Sequence, residues 1–199
     1  MLKVGITGGI GTGKTVVARI FETLGVPVYY ADTAAKTIIN TNPEVKQHII
    51  AQFGPESYIQ GKLNTPYISG IVFKDSDKLQ ALNSITHPVV IQHARDWLLR
   101  QESSYALKEA ALLFESGSYK ELDIIIGVAS PFETRVERVM ERDNISREAV
   151  LQKMGKQMDE EEKIAKCDYV IYNDEKQMVI PQVLALNKIL QQKAANPPT

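Results

Sequence analysis

The stretch Leu2-Lys3-Val4-Gly5-Ile6-Thr7-Gly8-Gly9-Ile10-Gly11-Thr12-Gly13-Lys14-Thr15 decides the fold. Its first six residues, Leu2 to Thr7, read as a short strand. Its last eight match GxxxxGK(S/T), and the residues that follow repeat apolar side chains at helical spacing. A strand, a glycine-rich turn and a helix in that order build a phosphate-gripping loop. Glycines let the backbone wrap closely and adopt positive φ, so that successive N–H groups converge on phosphate oxygens. The helix adds the partial positive charge of its N-terminus, Lys14 reaches the β- and γ-phosphates, and the Thr15 hydroxyl suits Mg²⁺. Average residue usage yields this pattern by chance in on the order of one chain in a hundred of this length. The strand and helix around it separate it from a merely flexible glycine turn.

Outward from this stretch, the first helix is expected to bury Val17, Ala18, Ile20, Phe21 and Leu24 and to stop at Gly25. Val26 to Tyr30 reads as a second strand, ending just before Asp32. From Asp32 to about Ser104 no strand is expected. Asn42-Pro43 starts a helix with Val45, Ile49, Ile50 and Phe53 on one face, and Gly54-Pro55 ends it. Thr65-Pro66 and Ser76 mark further starts, and His87-Pro88 is expected to divide two helical runs. Strand signals return at Ala106 to Leu113 and Ile124 to Ala129. Pro131 opens a charged helical stretch from Phe132 to about Lys166, capped internally at Ser146 and Asp159. Tyr169 to Tyr172 is a last strand, a helix covers roughly Lys176 to Lys193, and Ala194 to Thr199, with Pro197-Pro198, reads as a fraying terminus. Strands alternating with helices predict an α/β fold: a doubly wound, five-stranded parallel sheet flanked by helices, with ligands bound beyond the carboxyl ends of the strands.

Composition narrows the classes. The 199 residues are 44% hydrophobic and 24% charged, too apolar for disorder. A chain of this length buries roughly 70% of its unfolded surface. Lys and Arg number 23 against 24 Asp and Glu, so no global charge draws the protein to nucleic acid or acidic membranes. A single cysteine, Cys167, excludes a disulfide scaffold. No apolar run approaches the roughly 20 residues that span a bilayer, and Met1 to Ile6 lacks a signal peptide's apolar region. The expectation is a cytoplasmic protein, a monomer or small homo-oligomer, with no nucleic-acid or membrane partner.

Several residues outside the loop carry chemistry. The guanine-reading (N/T)KxD and the switch segment DxxG are both absent, which favours a small-molecule kinase over a GTP switch. Asp32, at the carboxyl edge of the sheet, either accepts the proton of an attacking hydroxyl or simply N-caps the next helix. Arg135, Arg138 and Arg142 fall within about 60° of one helical face. They either contact ATP phosphates or form a solvated face with the interleaved Glu133, Glu137 and Glu141. His87 reads as a structural histidine or a ligand contact. Cys167 is expected to be a small buried side chain, Trp97 and Leu98 to pack within a helix, and Met154 and Met158 to fill core or hinge space. No His/Cys cluster suggests zinc.

With these residues in hand, the chain resembles the dephospho-coenzyme A kinase family from Leu2 to about Asp174. The likeness rests on Ile6 to Thr15, Tyr30-Ala31-Asp32, Leu82-Asn83-Ser84-Ile85-Thr86-His87-Pro88, Glu109-Ala110-Ala111-Leu112-Leu113-Phe114-Glu115, Arg138 to Asp143, and Asp168 to Asn173. It implies a P-loop NTPase core at residues 1–31, 104–131 and 167–199. A helical region that binds the acceptor, dephospho-coenzyme A, covers 32–103, and a helical lid covers 132–166. It implies ATP and Mg²⁺ as cofactors. Gly9, Gly11, Thr12, Gly13, Lys14, Thr15, Val16 and Asn173 would hold the nucleotide, and Thr15 and Glu109 the metal. Lys36, His87 and Glu115 would hold the acceptor. Asp32 would be the base, and Lys14, Arg138 and Arg142 would act on the transferring group. The alternatives are another phosphate-loop metabolite kinase or an ATP-dependent regulatory protein. Tyr30 stands where the family has a first aspartate, Ala111 where it has proline, and Lys36 and Lys153 where it has arginine. Lysine keeps the charge but loses bidentate geometry.

Overall fold

The computed structural model describes residues 1–196. In chain order the elements are β1 (Leu2–Thr7), α1 (Lys14–Thr23), β2 (Val28–Tyr30), α2 (Ala31–Thr41), α3 (Pro43–Phe53), β3 (Tyr58–Ile59), β4 (Lys62–Leu63), α4 (Thr65–Val72) and α5 (Ser76–Leu99). There follow β5 (Tyr105–Glu109), β6 (Ile124–Ala129), α6 (Phe132–Asp143), α7 (Arg147–Met154), α8 (Glu160–Ala165), β7 (Tyr169–Tyr172) and α9 (Val179–Ala195). They divide into two compact units: Met1–Tyr30 with the chain from Leu98 onward, and Ala31–Trp97.

The first unit is built on the expected five-stranded parallel sheet, in the order β2-β5-β1-β6-β7. Helices cover both faces of such a sheet, so its strands are near-continuous apolar runs. Ile124-Ile125-Ile126 in β6 is buried throughout. Val4, Ile6, Val17, Phe21, Leu107, Ile126, Val128 and Leu190 form one cluster with no exposed surface, each side chain contributing about 1.5–3 kcal/mol. Leu24, expected inside, is 38% exposed because the chain leaves α1 at that residue before turning through Gly25 at φ +84°.

Strand β5 stops at Glu109, four residues short of the expected Leu113. Its partners end there too: Ile6 and Tyr30 both stand in register with Glu109. Leu113 and Phe114 are buried by the turns that follow, with Ser116 N–H donating to Leu112 O and Gly117 N–H to Phe114 O. A short apolar run does not itself separate a strand from a buried turn. The charged stretch breaks into three helices as expected, with the Ser146 hydroxyl accepting from Ala149 N–H and Asp159 from Glu161 and Glu162 N–H. Helix α9 starts later than expected because Asp174 accepts from Lys176 and Gln177 N–H and holds those residues in a turn. It runs through Ala195, so Ala194 does not fray; Pro197-Pro198 lies outside the described residues.

The second unit is helical with two corrections, the first being that β3 and β4 pair antiparallel around Gln60-Gly61, at φ +50° and +78°. Both central residues take the positive φ that a tight hairpin turn demands. Two-residue strands are too short to show alternation in sequence. A second correction is at His87-Pro88, where α5 passes unbroken. Proline removes one helical hydrogen bond, but Leu82, Ile85, Val89 and Val90 on both sides of it pack against the same cluster as Ile49 and Val72. Val45, Ile49 and Phe53 are buried as expected, whereas Ile50 is 39% exposed. Asn42 caps α3 through Val45 N–H, and Asp75 rather than Ser76 supplies the cap of α5.

His87 is half-buried, and burial lowers its pKa from the ordinary 6.5. The unfolded chain therefore binds a proton at this residue before the folded one does, and stability falls as pH drops below about 6.5. In His87→Gln this acid-side loss should shrink relative to wild type, with the difference vanishing at neutral pH. Thermal unfolding of both proteins from pH 7.5 down to pH 5 tests it; parallel curves would show that His87 titrates as it does in the unfolded chain.

Candidate active site

The sheet register gathers the chemistry at one edge. Thr7, Tyr30 and Glu109 end β1, β2 and β5, while Ala129 and Tyr172 end β6 and β7 in register with each other. The phosphate-type loop 8–15, Ser130 and Asn173 therefore all follow directly from carboxyl ends of strands. In a doubly wound sheet this is the ligand-binding end.

The loop has the geometry its composition demands. Gly11 and Gly13 lie at φ +85° and +86°, and a Cβ on Gly11 would meet the Arg135 backbone carbonyl oxygen at 2.5 Å. Helix α1 opens directly at Lys14, so its free N–H groups face the loop. The Lys14 ammonium lies 3.7 Å from Glu109 Oε1, and the Thr15 hydroxyl donates to that same oxygen at 3.1 Å. Glu109 is almost fully buried. A hydroxyl and a carboxylate meeting here are hard oxygen donors of the kind Mg²⁺ takes, usually with phosphates and water completing the shell.

A cleft of about 350 Å³ is lined by Gly11, Gly13, Lys14, Thr15, Val16, Arg19, Arg138 and Arg142. Four cations wall this cleft, a lining that suits an anionic ligand, although Lys14, Arg138 and Arg142 each also face a carboxylate. A larger cavity, about 580 Å³, lies beside Met1, Asp123 and Lys193 at the opposite end of β1, away from the strand ends that carry these groups.

The three helix arginines separate in role. Arg135 is buried; its Nε–H donates to Ile10 O at 3.1 Å and it pairs with Glu160 at 3.5 Å, so it braces the loop from behind. Arg138 lines the cleft and donates to Ser130 Oγ, Asn173 O and Glu175. Arg142 lines it while paired with Asp143 at 2.8 Å. Lys153 holds the same aspartate at 2.9 Å, and these two cations keep the Asp143 carboxyl far below the usual range. Of the interleaved acids, Glu133 pairs with Arg147 instead.

Other expected site residues are placed as follows. The Asn173 side-chain N–H donates to Thr12 O at 2.8 Å, and a Cβ on Gly13 would collide with it. Gly9 N–H is engaged by Glu160. Glu115 accepts from Met158 N–H and from the fully buried Lys163, which also donates to Ala111 O. Asp32, Lys36 and His87 belong to the second unit. Asp32 and Lys36 are exposed and four residues apart on α2. Asp32 sits inside the first turn of that helix, one residue past its start, so it is not an N-cap. Tyr30 donates to Glu22 at 3.1 Å, and burial with that contact pushes its phenol up to about 12. Half-buried Cys167 is likewise pushed up to about 12 by burial and is no nucleophile. Trp97 is half-buried beside buried Leu98, and Met154 packs on Val136, Val139 and Val150.

Arg19 was missed by sequence reading, although it stands one helical turn beyond Thr15, where the i, i+4 rule puts it on the same face. Glu160 and Gln157, which hold Gly9 and Ile10 N–H at 2.9 Å each, gave no signal because they lie about 150 positions away.

The parallel sheet, the glycine loop opening α1 and the cation-lined cleft define a phosphate-loop kinase fold. The dephospho-CoA kinase family model matches residues 2–178. A dephospho-CoA kinase of Bacteroides fragilis is 40% identical over 193 residues, 96% of this chain and 94% of its own. A solved Thermus thermophilus structure superposes with TM-score 0.82 at 34% identity, covering 96% of this chain and 97% of the other. A dephospho-CoA kinase of Campylobacter jejuni gives TM-score 0.67 at 27% identity, covering 98% of each chain. The chain belongs to the dephospho-CoA kinase family. Among the described residues, no helix is long and apolar enough to cross a membrane.

Proposed function

We propose that this protein transfers the γ-phosphoryl group of ATP to the 3′-hydroxyl of dephospho-coenzyme A, giving coenzyme A and ADP, the last step of coenzyme A biosynthesis. The observation that carries this reading is the meeting of Lys14, Thr15 and Glu109 beside a cleft that Lys14 and Thr15 line together with Arg138 and Arg142. The residues from Gly11 to Val16 cradle the phosphates, and Gly9 shapes the loop behind them. Asn173, locked to Thr12, flanks the nucleotide. Thr15 and Glu109 would hold Mg²⁺, which when bound neutralises phosphate charge.

Asp32 takes the proton from the 3′-hydroxyl as its oxygen bonds to the γ-phosphorus and the bond to the ADP oxygen breaks. The transition state spreads charge over the three equatorial oxygens, and catalysis is mostly positioning and charge stabilisation. Lys14, Arg138 and Arg142 supply that stabilisation. Residues 132–166 act as the lid, and Lys36, His87 and Glu115 serve the acceptor. The same reading places the enzyme in the cytoplasm. ADP release that requires dephospho-coenzyme A tests it; release driven equally by nucleoside monophosphates would point to a different acceptor.

Arg142 gives a sharper test within this reading. Its partner Asp143 stays satisfied by Lys153, so Arg142 is free to exchange Asp143 for a phosphate oxygen as charge develops. Arg142→Met should lower kcat about 10-fold or more while raising the ATP KM less. An effect on KM alone would limit Arg142 to ground-state binding, and no effect would make it part of the solvated face.

A further inference from the structure

Two side chains from the α7–α8 region reach the back of the phosphate loop. Gln157 Oε1 accepts from Ile10 N–H, and Glu160 Oε2 accepts from Gly9 N–H, each at 2.9 Å. The same Glu160 oxygen faces Arg135 at 3.5 Å, and Arg135 donates to Ile10 O at 3.1 Å. Three side chains thus hold both the N–H and C=O groups of the loop's first turn. A side chain at Gly9 would collide with Arg135 and Glu160, so glycine is needed for the closeness of this brace.

The brace is held at a cost. Glu160 Oε1 is buried with no hydrogen-bond partner among the described residues, and burial raises the carboxyl's pKa above its ordinary value. A buried, half-satisfied carboxylate costs stability whatever it does. What it serves here is orientation. With the N–H groups of Gly9 and Ile10 drawn backward and Thr12 N–H closing on Gly9 O at 3.3 Å, the loop is fixed before any phosphate enters, and those of Gly11, Gly13, Lys14 and Thr15 are left for the ligand.

We propose that Gln157 and Glu160 are positioning residues that preorganise the phosphate loop for ATP, acting through the Ile10 and Gly9 N–H groups and without touching substrate themselves. The proposal rests on ATP being the ligand of this loop. It also makes the start of α8 a fixed support of the loop, so any closing motion of residues 132–166 must leave Gln157 and Glu160 in place.

The test uses Gln157→Leu, which keeps size but removes the acceptor, and Gln157→Glu, which keeps an acceptor oxygen. Folding is followed by thermal unfolding, loop binding by titration with a non-hydrolysable ATP analogue, and transfer by kcat with both KM values. Gln157→Leu should lower kcat about 10- to 100-fold, the scale of a small misplacement in a reacting site, with weaker analogue binding and unchanged dephospho-coenzyme A KM. Gln157→Glu should recover most of the loss. If the leucine variant does not fold, Glu160→Ala against Glu160→Gln gives the same comparison at Gly9, with glutamine keeping the N–H acceptor. Wild-type analogue affinity and kcat in Gln157→Leu would overturn the proposal, as would failure of the acceptor-retaining variants to recover function. Wild-type enzyme that binds the analogue but does not phosphorylate dephospho-coenzyme A would instead overturn the functional reading.

Discussion

Lys14→Ala is expected to fold normally and to lose transfer by at least about 10²–10³-fold, the loss seen when one preorganised charge-stabilising group is removed. The fold should survive because Lys14 is the first residue of α1 and alanine is an excellent helix former. Core packing is untouched: Val17, Ala18 and Phe21 carry the buried face of that helix. What disappears is the cation 3.7 Å from Glu109 in the lining of the cleft. ATP affinity should also weaken, since the proposed role has Lys14 meeting the phosphates in the ground state as well. Circular dichroism and a coupled ADP assay measure the two sides. Near wild-type turnover would remove Lys14 from the chemistry and the phosphate loop from the mechanism.

Asp32→Asn is expected to leave ATP binding intact and to reduce transfer by roughly 10²–10⁴-fold, the usual scale of a general base. The exchange is nearly isosteric. Asp32 lies in the first turn of α2, where a carboxylate complements the helix dipole. Its loss therefore costs at most about 0.3–1 kcal/mol of stability. A small stability change with a large rate change identifies proton transfer; the reverse pattern identifies an electrostatic role in the helix. Full turnover in the variant would leave the acceptor hydroxyl without an assigned base.

Much of this site was legible because its chemistry is local. The loop from Gly8 to Thr15 announces itself through residue types within one turn, and its strand and helix follow from apolar spacing. Strands β1, β6 and β7 have the boundaries their apolar runs imply. Where the reading failed, the deciding interaction came from elsewhere in the chain. Helix α5 survives Pro88 because residues on both sides of the proline pack into one cluster, which no local rule against proline encodes. Leu113 reads as strand in sequence because burial in a turn and burial in a sheet leave the same apolar signature. Three arginines on one helical face looked alike in sequence. Only the fold sends Arg135 to Ile10 and Glu160, and leaves Arg138 and Arg142 on the cleft. The Gln157 and Glu160 contacts were illegible for the same reason: they join positions that meet only in the folded chain.

The central claim is the identity of the acceptor atom, and phosphorus NMR of the reaction mixture reads it directly. With ATP, Mg²⁺ and dephospho-coenzyme A, the wild-type protein should produce one new phosphomonoester resonance, coupled to the ribose 3′ proton, for each ADP formed. ADP formed without that resonance, or a phosphomonoester on any other oxygen, would contradict the account.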